Sequence, residues 1–115
     1  MKENKLVDLS KQFAIDIINL CSRIKENRNY NVLLNQLLRS GTSIGANIHE
    51  AKYAQSKADF INKLEIALKE SFETEYWLEL LYRKNRLLEE QYKKLRNECG
   101  IIRRKLIASI TTAKK

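Results

Sequence analysis

The sequence predicts an all-α fold, an antiparallel up-down-up-down four-helix bundle over residues 1–115 as a single domain. Three observations predict it. Apolar residues recur at steps of three and four along four long stretches, the spacing that puts them on one helix face. The chain has no proline and only three glycines, whereas β folds depend on such turn residues. The stretches are separated by only a few residues, and short connections force neighbouring helices to run antiparallel.

In the first helix the stripe is Leu6, Leu9, Phe13, Ile17, Leu20 and Ile24. Asn27-Arg28-Asn29 interrupts it, because asparagine tolerates the left-handed conformation that ends helices. The second helix carries Leu33, Leu37, Ser40, Ile44, Ile48 and Ala51. Ser56-Lys57-Ala58-Asp59 reads as the start of the third, with the Ser56 hydroxyl satisfying a free backbone N–H. That helix takes Phe60, Leu64, Ala67, Ser71, Leu78 and Tyr82, and Asn85 is the natural break after it. The fourth takes Leu88, Tyr92, Leu95, Cys99, Ile102, Leu106 and Ile110. Breaks are expected near residues 27–30, 54–57 and 83–88.

Hydrophobic residues make up 43% of the chain and charged residues 31%, a balance that excludes a disordered tail. No run approaches the length of a membrane-spanning helix. The early charges Lys2, Glu3, Lys5, Asp8, Lys11 and Asp16 argue against a signal peptide, so the expected location is cytoplasmic and the two cysteines, Cys21 and Cys99, are expected as buried thiols. No cofactor is expected. His49 is the single histidine, with no second histidine or cysteine at ligand spacing, so no metal site is expected. No nucleophile, base and orienting acid assemble into a catalytic set, and the expectation is a non-enzyme.

Two further faces stand out. Leu38, Thr42, Gly45 and His49 form a second stripe on the second helix, and Ile66, Trp77 and Leu80 lie opposite the core residues of the third. Glycine inside a helix costs about 1 kcal/mol relative to alanine, so Gly41 and Gly45 are expected where another backbone comes close. A subunit interface at Leu38, Gly45, His49, Ile66, Trp77 and Leu80 explains these faces; an unusually wide core is the alternative. Beside the core stripe, Ser43, Asn47 and Glu50 share a polar strip, and Glu75 falls among the core positions of the third helix. A carboxylate there must find donors. A structural polar network of Ser43, Asn47, Glu50 and Glu75 is expected, with Asn47 or Ser43 donating to Glu75.

The net charge is +8, and residues 83–115 carry eleven Lys/Arg against three Asp/Glu, the whole of the excess. Arg86, Lys93, Arg96, Arg103 and Arg104 fall within an arc of about 100° beside the core stripe at the 3.6-residue helical period. Such a strip can follow a phosphate backbone. Aromatic residues for base stacking are absent from the arc, which favours structured RNA over sequence reading of single strands.

The segments Arg39-Ser-Gly-Thr-Ser-Ile-Gly-Ala-Asn-Ile-His-Glu-Ala51, Ser56-Lys-Ala-Asp-Phe-Ile61 and Lys69-Glu-Ser-Phe-Glu-Thr-Glu-Tyr-Trp-Leu-Glu-Leu-Leu81 together resemble the bacterial four-helix-bundle proteins labelled 23S rRNA intervening-sequence proteins. Some of these are encoded inside insertions in large-subunit rRNA genes, so the label describes gene location more than activity. The resemblance implies a small antiparallel bundle that assembles as a ring-shaped homopentamer. A related bundle, the accessory protein of diversity-generating retroelements, is a basic pentamer that binds nucleic acid and a reverse transcriptase. The leading expectation is a non-catalytic homo-oligomer that binds nucleic acid, RNA favoured, through its basic C-terminal helix. A protein-interaction scaffold with an acidic partner, the retroelement accessory role, and a structural remnant of an insertion are the alternatives.

Overall fold

A computed structural model describes the backbone of residues 2–24 and 30–115, and side chains from Lys5 onward. Four helices account for almost all of it: α1 (Lys2–Ile24), α2 (Asn31–Ala51), α3 (Lys57–Arg83) and α4 (Glu89–Lys114). No strand occurs among the described residues. Most of the first expected break, at 27–30, lies outside those residues; the other two fall where the sequence puts them.

The local chemistry of the breaks is explicit. Ser56 adopts extended backbone and its Oγ accepts the Asp59 N–H at 3.0 Å, while the Asp59 carboxylate accepts the Gln55 N–H at 3.2 Å. One of the free donors at the start of α3 is thereby satisfied, and the residue before the cap is tied to its first turn. Asn85 has φ 60°, the left-handed geometry that asparagine tolerates better than most residues. It reverses the chain so that the Arg86 N–H reaches the Leu81 carbonyl at 2.8 Å. Gln91 then accepts the Leu88 N–H at 3.0 Å and α4 begins. The Tyr82 and Tyr92 rings stack across this corner, 4.4 Å apart and nearly parallel.

Each helix packs on its neighbours in the chain, and α1 closes against α4. Cross-contacts fix every pair as antiparallel: Ser10 meets Gly45 and Ile17 meets Gly41; Glu50 pairs with Lys63 and Arg39 with Glu73; Lys114 pairs with Glu65 and Arg103 with Glu75; Lys94 reaches Asp16. The bundle measures 45 × 22 × 19 Å. Phe13, Ile17, Leu37, Ile44, Leu78 and Leu106 are among the side chains that fill its axis. Burying each such side chain contributes about 1.5–3 kcal/mol.

Four hydroxyl residues, Ser10, Ser40, Ser71 and Thr74, are fully buried among these apolar groups. The serines bond to carbonyls of their own helices, Val7, Leu37 and Leu68 respectively. Thr74 reaches across to Ser40 Oγ at 2.9 Å and lies 2.8 Å from the Glu70 carbonyl. Small side chains let α2 and α3 approach, and every hydroxyl has a partner, so their burial is tolerated. Both cysteines are free and buried.

Two sequence expectations need correcting. The close approach at Gly45, which the sequence assigns to a subunit interface, is made within the chain: a Cβ there would lie 3.4 Å from the Ser10 backbone oxygen, so the glycine admits α1. Gly41 does the same against Ile17, at 3.0 Å. The expected polar network is also not assembled. Ser43 donates to the Arg39 carbonyl, Asn47 to the Ser43 carbonyl, and Glu50 pairs with Lys63. Glu75 turns toward α4 rather than α2, because Arg103 offers a full charge at 2.7 Å where Asn47 and Ser43 offer only neutral donors.

Candidate nucleic-acid interface

The five cations expected to form a basic strip divide by what surrounds them. Arg103 is only 17% exposed. Its Nη2 donates to Glu75 Oε2, its Nε lies 3.4 Å from Ser71 Oγ, and its guanidinium sits 4.5 Å from the Phe72 ring centroid. It is a pinned structural group whose charge is already matched. Lys93 is exposed, but Glu89 one turn earlier holds it at 2.8 Å. The hydrogen bond to that carboxylate raises the lysine's pKa and lowers that of Glu89.

Arg86, Arg96 and Arg104 remain, all exposed. None forms an ion pair among the described residues. Arg86 is not part of α4, which begins at Glu89, so it leaves the strip that the helical period predicts; it lies in the turn before α4 over the Tyr30 ring at 4.3 Å, and its hydrogen bond lowers the tyrosine's pKa. Arg96 lies over Tyr92 at 5.2 Å, on an aromatic pair already fixed by stacking. Such cation–π contacts orient a guanidinium without neutralising it. Arg104 stands one turn beyond Gly100, where its Nη1 is the nearest atom to the missing Cβ, at 3.4 Å. Arg96, Asn97, Gly100, Arg103 and Arg104 thus surround a shallow notch on α4, with Glu75 and Ile101 completing its lining and a cavity volume of 270 Å³.

The sequence reading missed the aromatic side of this surface. The arc on α4 contains no free ring, but the adjoining face of α3 presents Phe72 and Tyr76, 54% and 56% exposed. Glu75 lies between them in the chain and forms a wall of the notch. The signal was the Phe72, Tyr76 spacing of four, which the core stripe of α3 leaves out.

The residues expected at a subunit interface are scattered in their burial. Leu38 and His49 are exposed, His49 edge-on to Tyr53. Ile66, Leu80 and Trp77 are half-buried, and Trp77 packs on the core of its own chain. The indole Nε1 is buried without a partner among the described residues. Ile15 and Ile18 on α1 are more exposed than any of those three. Among the described residues, no three of His, Cys, Asp and Glu gather where they could hold a metal ion. No helix there is long and apolar enough to cross a membrane.

Comparison with known proteins places this arrangement in a lineage. The family described as 23S rRNA-intervening sequence protein matches residues 2–108, from the start of α1 to near the end of α4. The chain belongs to that family. A member of the S23 ribosomal protein family from Bacteroides thetaiotaomicron VPI-5482, a protein of unknown function solved at 1.70 Å resolution, is similar in structure, with a TM-score of 0.92 and 52% identity. The similarity covers 96% of this chain and 99% of that one. None of the curated proteins matches. The four-helix architecture of the 23S rRNA-intervening sequence protein family is thus shared along the whole bundle.

Proposed function

We propose that this protein is a non-catalytic nucleic-acid-binding module that acts as a homo-oligomer, with RNA the favoured ligand. The observation that carries the reading is the pair of exposed arginines on α4, Arg96 and Arg104, which line one notch without a carboxylate partner among the described residues while the neighbouring Lys93 and Arg103 are neutralised. Free guanidiniums on a rigid helix suit phosphate oxygens, which they bind in a bidentate fork. Each phosphate neutralised releases counterions, so affinity should fall with salt.

Self-association is supported by exposed apolar groups on other helices, Ile15 and Ile18 on α1 and Leu38 on α2. The family resemblance implies five copies. A ring would repeat the arginines and raise avidity through effective concentration. Light scattering tests the assembly; a monomer at micromolar concentration would refute it.

Titration of labelled RNA at several salt concentrations tests binding. Arg96→Glu/Arg104→Glu should weaken binding to all sequences alike and flatten the log–log salt slope by about 0.7 per lost phosphate contact on a single strand. Absence of binding by the wild type at low salt would refute the nucleic-acid reading and favour an acidic protein partner.

A further inference from the structure

Phe72 and Tyr76 are the unexplained feature of α3. Both rings are more than half exposed, and leaving large apolar surface in water is unfavourable. Neither belongs to the core, to which α3 contributes Leu64, Ala67, Leu78 and Leu81; the Tyr76 ring meets that of Trp77 edge-on, at 5.1 Å. Yet Phe72 is not loose. Arg103 lies over its ring, and Arg103 is in turn fixed by Glu75 and Ser71. The chain therefore holds an exposed aromatic ring in place with an ion pair that has itself been taken out of phosphate binding. On the other side of that ion pair is the notch at Gly100, flanked by Arg96 and Arg104, which have no ion-pair partner among the described residues, and by the Asn97 amide.

Two classes of partner can cover exposed rings, and charge separates them. A second copy of this chain finds exposed apolar contact at Ile15, Ile18 and Leu38 instead, whereas here it would meet the arginines of the notch. A polyanion would be attracted. Among polyanions, a duplex keeps its base faces stacked on one another and offers mainly phosphates and sugars, which leaves the rings nothing to stack on. An unpaired strand presents phosphates and π-faces together.

We infer that this surface takes an unpaired segment of nucleic acid, its bases stacking on Phe72 and Tyr76 and a backbone phosphate held at the Gly100 notch between Arg96 and Arg104. The inference rests on the nucleic-acid reading above and narrows it to single strands, against the structured RNA that the sequence alone favours. In this arrangement Arg103 and Glu75 are positioning residues, which hold the Phe72 ring and the wall of the notch. Stacking is tolerant of sequence, because every base has a π-face.

The test is fluorescence anisotropy with a labelled, non-self-pairing RNA of about 12 nucleotides, a length within the usual range for one single-strand site, used alone and annealed to its complement. The wild type should bind the single strand about tenfold more tightly than the duplex at equal salt, the effect of one or two stacked bases. Phe72→Ala/Tyr76→Ala should lose about 5- to 100-fold on the single strand and change little on the duplex. Phe72→Leu/Tyr76→Leu keeps apolar bulk but removes the π-faces, and should show the same selective loss. Circular dichroism melts establish that both variants are folded. Equal or tighter binding of the duplex, with both variants unaffected, would overturn the single-strand inference while leaving nucleic-acid binding in place. No binding of either RNA by the wild type at low salt would overturn both. Ring variants that change the mass measured by light scattering while binding both RNAs like wild type would overturn the inference by making this face a subunit contact.

Discussion

The three glycines stand in three different surroundings, and replacing each by alanine should separate packing from helix propensity. At Gly41 a new Cβ would lie 3.0 Å from both Cγ atoms of Ile17, a fully buried residue that has nowhere to retreat. Overpacking of this kind costs about 1–3 kcal/mol, against a gain of about 1 kcal/mol from replacing a helical glycine. Gly41→Ala should therefore lose up to about 2 kcal/mol after that offset. At Gly45 the nearest atoms are the Ser10 oxygens at 3.4 Å, and at Gly100 the only near neighbour is the end of Arg104 at 3.4 Å. Both alanines fit, so the propensity gain of about 1 kcal/mol should appear nearly whole at Gly100 and in large part at Gly45. Urea and thermal melts followed by far-UV circular dichroism measure the series. In a chain of this size about 1 kcal/mol corresponds to roughly 4 °C in Tm. Gly100→Ala should melt highest and Gly41→Ala lowest. A Gly41→Ala protein as stable as Gly100→Ala would refute the reasoning, because it would mean that α1 and α2 separate at no cost.

Thr74→Val should cost about 1–2 kcal/mol in urea unfolding, since it removes the hydroxyl that meets Ser40 and the Glu70 carbonyl; adding Ser40→Ala should cost less than the two single changes combined. The Glu98 carboxyl is raised above its ordinary pKa, by burial first, with Asp16 also raising it and Lys94 acting against both. The folded state thus holds that proton more tightly than the unfolded chain, so ionised Glu98 opposes folding above the raised value and stops doing so as pH falls through it. Glu98→Gln should accordingly stabilise the protein at neutral pH, with the difference closing on acidification; a gap independent of pH in thermal melts would refute this. Burial pushes the Cys21 and Cys99 thiols up to about 11, so a thiol reagent at pH 8 should label them only as fast as the chain unfolds.

The helices were legible because periodicity is a local property. The stripe through Phe13, Ile17 and Leu20, the Ser56 cap and the Asn85 break need only neighbouring residues to be recognised, and each occurs in the structure. The partners across helices were less legible. Glu75 is recognisable in the sequence as a carboxylate near the core, but whether it meets α2 or α4 depends on the rotation of α3 about its axis, and the helical period places Arg103 in a surface strip. The same uncertainty in rotation hid Phe72 and Tyr76, which stand one residue after Ser71 and two before Leu78 yet face outward. Gly45 illustrates a third case. A small residue announces that something comes close, but its spacing says nothing about whether the approaching backbone belongs to α1 of the same chain or to another copy.

The Arg103–Glu75 pair gives α3 a say in how basic α4 is. Glu75 and Glu65 on α3 and Asp16 on α1 pair with particular cations of the fourth helix, Arg103, Lys114 and Lys94. A change at any of these acidic positions would release or capture one positive charge on α4 without altering α4 itself. The effective valence of that helix is thus written on three helices and can drift by single substitutions at sites that touch no ligand. Homologues with near-identical fourth helices could in this way differ in electrostatic reach, and counting lysines and arginines along α4 alone would misjudge them.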